Sequence, residues 1–326
     1  MKALVTGGAG FIGSHLTEAL CRAGASVTVL DNLSVGSPEN LSWRKAGDAL
    51  ELVQGDICNR TLVRKLLPGC DWVFHQAALA SVPLSVAEPE RSNRENLEAT
   101  LALLQESREV GIKRFIFASS CSVYGTLARP ASEGDPINPL SPYALQKYTA
   151  EHYARMFHAL YGFPAVALRY FNVFGPRQSF SSPYSGVIAR FCSAILEGKR
   201  PVIFGDGSQT RDFVYVSNVV RANLLAVERA EAPGNVFNIG TGVSTSLLDL
   251  VNELNRETGQ KLRPDFQSAR AGDVQFSRAD VSKAERVLGY QPTATLQAGM
   301  RETLQYYRAK REGDAPHPGA SPSVNQ

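Results

Sequence analysis

The chain has 326 residues, 44% of them hydrophobic and 20% charged, which is enough apolar side chain to bury a large core. The net charge of +3, with both signs interspersed, is too small and too scattered to argue for nucleic acid or an anionic membrane as a partner. Five cysteines (Cys21, Cys58, Cys70, Cys121, Cys192) form no CxxC or other metal-type spacing, and with no leader-like stretch before "ALVTG" and no apolar run long enough to cross a bilayer, a cytoplasmic protein with reduced thiols is expected.

In chain order, "KALVTG" (2–7), "SVTVLD" (26–31), "LELVQGD" (50–56), "DWVFHQAA" (71–78), "RFIFASS" (114–120) and "AVALRY" (165–170) read as strands separated by helical patterns. The runs are apolar on both faces, as in a parallel sheet covered by helices on both sides, so the fold class is α/β with a Rossmann-type doubly wound sheet. The longest helices are expected over 93–110 and 143–161. After Tyr170, loops rich in Gly, Pro and Ser surround a helix-like stretch at 187–198, and "NVFNIGT" (235–241) is expected to return to the main sheet. The predicted division is a nucleotide-binding domain over 1–170 joined by 213–241, an interleaved, smaller C-terminal substrate domain over 171–212 and 242–311, and a disordered tail over 312–326.

The first strand runs into "GGAGFIGSHL", with Gly7, Gly10 and Gly13 at three-residue spacing before a helix. Glycines there let backbone N–H groups and the helix N-terminus approach a pyrophosphate. The second strand ends in Asp31, whose carboxylate can accept from ribose hydroxyls and would repel a 2′-phosphate; Asn32 rather than an arginine follows, which favours NAD over NADP.

The segment "PLSPYALQK" places Ser141 as an N-cap, Pro142 at the first helical position, and Tyr143 and Lys147 at i and i+4 on one face. An ammonium beside a phenol stabilises the phenolate, which makes the pair a proton-transfer device, although a surface tyrosine and a solvated lysine give the same pattern. Ser119 and Ser120 end the fifth strand, where ligands of open α/β sheets sit, so their hydroxyls are expected to face the crevice.

Together, "VTGGAGFIGSHL", "DNL", "GDI", "HQAA", "FASSCSVYG", "YALQK" and "RYFNVFGPRQ" resemble the extended short-chain dehydrogenase/reductase family, specifically its nucleotide-sugar 4-epimerases, up to about residue 310. The resemblance implies tightly bound NAD, a UDP-sugar in the smaller domain, and 4-epimerisation of UDP-hexoses through a transient 4-keto sugar. It places Gly7, Gly10, Phe11, Ile12, Gly13, Asp31 and Asn32 on the cofactor, Asp56 and Ile57 about its adenine, Ala77 and Ala78 along it, and Asn96, Ser119, Tyr143 and Tyr170 in the same site, with Lys147 also bonding the nicotinamide ribose. Ser120 matches the catalytic Ser/Thr that bonds the C4 oxygen, and Tyr143, kept ionised near neutral pH by Lys147, removes the C4 hydroxyl proton while hydride passes to NAD. Asn172, Arg211, Arg270 and Asp273 match positions that hold the diphosphate and uridine ribose, and Ser122, Val187 and Ser277 complete the substrate set. No metal is implied, and a homodimer joined by helices 93–110 and 143–161 of each subunit is.

Related dehydratases carry Asp-Glu after the Ser/Thr, where this chain has Cys121 and Ser122, and the decarboxylases' glutamate before "VYG" is also missing. A UDP-glucuronate 4-epimerase would use the same Tyr and Lys and stays as the alternative; a non-catalytic NAD-binding sensor would have no reason to keep Ser120, Tyr143 and Lys147. Family members restricted to glucose carry a bulky tyrosine seven residues after the arginine of the R-x-G-D segment. Here Ser277 stands there, leaving room on the order of 100 Å³ or more for an acetamido group, so acetylated UDP-hexoses are expected substrates too.

Overall fold

Strands that are apolar on both sides need helices on both faces, and the computed structural model, which describes residues 1–179, 186–269 and 274–311, has that layering. The first part runs β1 (Lys2–Thr6), α1 (Phe11–Arg22), β2 (Ser26–Asp31), β3 (Leu50–Gln54), α2 (Arg60–Leu66), β4 (Trp72–His75), α3 (Val82–Ala87), α4 (Pro89–Asn93), α5 (Ala99–Glu109), β5 (Arg114–Ser120), α6 (Pro142–Tyr161) and β6 (Ala165–Tyr170). There follow β7 (Asn172–Phe174), α7 (Val187–Leu196), β8 (Val202–Phe204), β9 (Thr210–Arg211), β10 (Phe213–Tyr215), α8 (Val216–Glu228), β11 (Val236–Ile239), β12 (Thr245–Ser246), α9 (Leu247–Thr258), β13 (Asp265–Gln267), α10 (Ser282–Leu288) and α11 (Leu296–Arg311).

The main sheet has the order β3-β2-β1-β4-β5-β6-β11 and is parallel throughout. The chain lays β2 and β3 to one side of β1 and β4, β5 and β6 to the other, and that switch point between β1 and β4 opens a crevice beyond the carboxyl ends. The seventh strand, β11, pairs Val236–Ile239 with Ala167–Tyr170, so the chain does come back to the sheet after the loop-rich stretch.

Alternate residues of one strand feed opposite cores. Ala3 and Val5 pack with Leu16 and Leu20 of α1 and Ala222 and Ala226 of α8, whereas Leu4 packs with Leu103 and Leu104 of α5 and Ala150, Ala154 and Phe157 of α6. A third cluster, including Phe174, Phe191, Ile203, Leu250 and Tyr307, lies under the remaining elements.

Helix α6 starts and stops where its sequence says it should. Ser141 Oγ accepts from Ala144 N at 3.2 Å, Pro142 takes the first turn, and Gly162 closes the helix at φ +66°. The expected helix over 93–110 differs: helical backbone begins at Pro89 and passes through a π turn at Arg94–Glu98 before α5. The extra residue of that turn swings Asn96 inward, where its Oδ1 accepts from Leu79 N (2.8 Å) and its Nδ2 donates to Gln146 Oε1 of α6 (2.9 Å). The five cysteines are free, and among the described residues no helix is long and apolar enough to cross a membrane and no His, Cys, Asp or Glu group is placed to hold a metal. The tail over 312–326 lies outside the described residues.

Candidate active site

A cleft of about 450 Å³ runs from the turn after β1 to the start of α6. Its floor must be bare backbone. Gly7 holds φ +69° and a Cβ there would stand 2.7 Å from Ala77 N, while a Cβ on Gly13 would overlap the Gly7 carbonyl oxygen. Helix α1 begins at Gly10 with no side-chain cap, so its first N–H groups face the cleft as an anion site. At the far end, Asp31 is anchored by Ala9 N on Oδ2 (3.0 Å) and by Leu33 N on Oδ1 (2.9 Å), and Asn32 Nδ2 donates to Asp56 Oδ2 (3.1 Å). A glycine turn, a fixed carboxylate and a long crevice between them fit a dinucleotide. Every residue of the expected cofactor set lines the cleft except Asn96, which serves as a buried strut between Leu79 and α6.

Behind the floor lies a chain of hydrogen bonds that sequence alone did not signal. Thr100 Oγ1 donates to Asn96 O (2.7 Å), which leaves it to accept from His75 Nε2 (2.7 Å); Nδ1 of His75 then accepts from Thr6 Oγ1 (2.7 Å), beside Gly7. Burial holds His75 down at about 3, so the ring is a neutral spacer.

Three consecutive residues at the end of β5 are each matched to α6. Ala118 O accepts from Lys147 Nζ (2.7 Å), Ser119 Oγ donates to Glu151 Oε2 (2.8 Å), and Ser120 stands next to Tyr143. The Ser119 hydroxyl therefore does not face the crevice as expected; a buried carboxylate takes its proton. Ser120 Oγ accepts from Ser122 N (3.2 Å), and the Ser120 hydroxyl is also hydrogen-bonded to Tyr143.

The expectation that Lys147 keeps the phenol ionised near neutral pH is not met by the protein groups alone. Burial pushes Tyr143 up to about 12, with only the Ser120 hydroxyl acting the other way, and the same burial pulls Lys147 down to about 7. The Lys147 ammonium sits 5.9 Å from the Tyr143 ring centroid and 4.8 Å from that of Phe117, turned towards the Ala118 carbonyl rather than the phenol oxygen. Sequence spacing gave the shared helix face but not the desolvation.

Burial raises the thiol of Cys121, the residue after Ser120, to about 11; the Arg211 guanidinium and a hydrogen bond with Ser277 oppose the rise and the Asp212 carboxylate adds to it. Arg211 NH1 donates to Thr210 O (2.9 Å), and Asn172 Nδ2 reaches Asp212 O at 3.4 Å. Ser122 Oγ is buried without a hydrogen-bond partner. Val187 starts α7 directly after Gly186, which lines the cleft together with Gln76, Val173 and Gln178, none of them singled out by the sequence. Arg270 and Asp273 lie outside the described residues.

Because Lys147 titrates at about 7 in the fold against an ordinary 10.5, the unfolded chain binds the extra proton between those values and stability rises with pH across that window. Lys147→Met should flatten that rise in the nucleotide-free protein and leave it at least as stable as the wild type at neutral pH; urea unfolding at a series of pH values measures it.

Residues 3–240 match the NAD dependent epimerase/dehydratase family. The chain is 40% identical to a UDP-glucose 4-epimerase of Mycolicibacterium smegmatis, covering 96% of this chain and 100% of that one. It superposes with a TM-score of 0.91 on a UDP-N-acetylglucosamine 4-epimerase from Methanobrevibacter ruminantium solved with UDP-N-acetylmuramic acid, at 41% identity over 95% of this chain and 98% of the other. A UDP-glucuronic acid 4-epimerase from Bacillus cereus, solved with UDP-glucuronic acid and NAD, gives a TM-score of 0.88 at 34% identity over 95% and 100% of the two chains. With this match and the bare glycine turn, fixed carboxylate and Ser-Tyr-Lys set on one cleft, the chain belongs to the NAD dependent epimerase/dehydratase family and is an NAD-dependent isomerase of the UDP-sugar 4-epimerase type.

Proposed function

We propose that this chain interconverts UDP-glucose with UDP-galactose, and UDP-N-acetylglucosamine with UDP-N-acetylgalactosamine. The observation that carries the reading is Ser120, Tyr143 and Lys147 lining one cleft, with the Ser120 hydroxyl hydrogen-bonded to Tyr143. The bare turn at Gly7, Gly10 and Gly13 lets a pyrophosphate approach the first N–H groups of α1, and Asp31, which spends one lone pair of each oxygen on Ala9 and Leu33, keeps the others for ribose hydroxyls. Lys147 uses one of its three protons on Ala118 O and has two left for the second ribose. Bound there, NAD supplies a hydride acceptor that gives the hydride back and, when oxidised, a positive charge that favours the nearby phenolate.

The chain's own groups handle the proton. Ser120 donates to the sugar's O4, and Tyr143 takes the O4 proton and returns it once the sugar has turned, while Asn172, Arg211, Arg270 and Asp273 hold the UDP. Val187 and Ser122 complete the proposed substrate set. Replacing Tyr143 by Phe should lower turnover of UDP-galactose to UDP-glucose by roughly 10²–10⁴-fold and leave NAD bound. Near-normal turnover in that variant sinks the assignment.

The breadth of the substrate range rests on Ser277, a small hydroxyl beside Cys121 where a larger ring would crowd a C2 acetamido group. Ser277→Tyr should cost the acetylated sugars about 10-fold or more in kcat/KM, in line with the penalty of overpacking, and spare the plain ones. A wild type that prefers UDP-glucuronate in the same assay selects the alternative substrate.

A homodimer is part of this reading. Helix α6 leaves Leu145 (53%), Leu160 (65%) and Tyr161 (54%) exposed, and a hollow between α4 and α6 is lined by Pro89, Leu97, Pro142 and Leu145. Light scattering should return twice the mass of the chain, and a monomer mass removes the dimer.

A further inference from the structure

Asp212 follows Arg211 in "QTRDFVYV" and is fully buried, yet no step above uses it. Neutral donors alone satisfy its carboxylate. Oδ1 accepts from Thr241 N (2.8 Å) and Thr241 Oγ1 (2.7 Å), and Oδ2 accepts from Gly242 N (2.9 Å) and Ala279 N (3.0 Å). Those donors belong to two separate segments. One is the loop that leaves β11, and the other is the stretch that brings Ala279 up two residues after Ser277.

The approach is tight enough to dictate a glycine. A Cβ on Gly240 would stand 2.8 Å from Asp212 Oδ2 and 2.7 Å from Ala279 Cβ, and Tyr290 holds that glycine in place by donating to its carbonyl at 2.8 Å. The next segment along, Thr245–Ser246, pairs antiparallel with Thr210–Arg211. One carboxylate thus ties the strand bearing Arg211 to the segment bearing Ser277. Charge-assisted bonds to backbone N–H groups are among the stronger hydrogen bonds a fold can use for this.

We propose that Asp212 is a positioning residue for the UDP-sugar: it fixes the spacing between Arg211, at the nucleotide, and Ser277, at the sugar, without touching either part of the ligand. This rests on the substrate reading given above. An asparagine has the same shape, but whichever carboxylate oxygen its amide nitrogen replaces, at least one backbone N–H of Thr241, Gly242 or Ala279 loses its acceptor. Thr241→Val is gentler, since it removes the hydroxyl and keeps the backbone N–H.

The test uses NAD-loaded enzyme, with UDP as the titrated probe in calorimetry and UDP-galactose as the assayed substrate. Asp212→Asn should raise the Kd for UDP and the KM for UDP-galactose by about tenfold or more, with kcat within about threefold of wild type and NAD content unchanged; Thr241→Val should show the same split at about two- to fivefold. A merely structural role lowers Tm and yield without moving the UDP affinity of the folded fraction. Wild-type UDP affinity in Thr241→Val and in whatever folded Asp212→Asn is recovered overturns the proposal, as does a loss confined to kcat. If Asp212→Asn does not fold, Thr241→Val decides alone. A wild type that binds no UDP overturns the substrate reading and this inference with it.

Discussion

The register between β5 and α6 is the constraint on which the site depends. Ala118, Ser119 and Ser120 are consecutive on the strand, and their partners Lys147, Glu151 and Tyr143 share one face of the helix at four-residue spacing. Glu151 is then locked to β6 by Arg169, whose Nε and NH2 reach the two carboxylate oxygens at 2.9 and 2.6 Å with both side chains buried. Arg169 NH1 continues to Tyr124 OH (2.7 Å), and Tyr124 donates to Asn238 of β11 (2.7 Å). A buried ion pair adds little net stability against an apolar replacement, but it is costly to satisfy in any other arrangement. Its value here is geometric: a slip of α6 by one residue would break three hydrogen bonds and an ion pair and would carry Tyr143 away from Ser120.

The same burial that fixes the register shifts Tyr143 and Lys147 away from their ordinary titration. Lys147 is held near neutral pH and Tyr143 is pushed to about 12, so the protein interior by itself disfavours the ammonium and the phenolate together. Groups shifted this far by desolvation at one end of a cleft are what an enzyme keeps at the cost of stability.

The features readable in the sequence were those with a local period or a local geometric demand. All seven main strands could be found because a doubly covered parallel sheet leaves unbroken apolar runs, and Gly7, Gly10 and Gly13 could be found because no side chain fits that turn. The Ser141 cap and Pro142 fixed the start of α6 to the residue. The π turn at Arg94–Glu98 has no such period, and the struts that place the site connect residues far apart in the chain: Asp212 to Ala279, His75 to Thr6, Ser119 to Glu151. The Ser119 hydroxyl meets Glu151, a partner one helix away that leaves no local mark, and the i, i+4 spacing of Tyr143 and Lys147 reports that they are neighbours but not that they are desolvated.

The central claim is that the hydrogen at C4 leaves the sugar and comes back without meeting water, while only the hydroxyl proton passes through Tyr143. UDP-galactose deuterated at C4, turned over in ordinary water and analysed by mass spectrometry as UDP-glucose, tests it directly. The account predicts that the product keeps its deuterium, because the same hydride is returned to the opposite face of the sugar. Replacement of that deuterium by solvent hydrogen would mean that C4 is inverted by proton abstraction, and would contradict it.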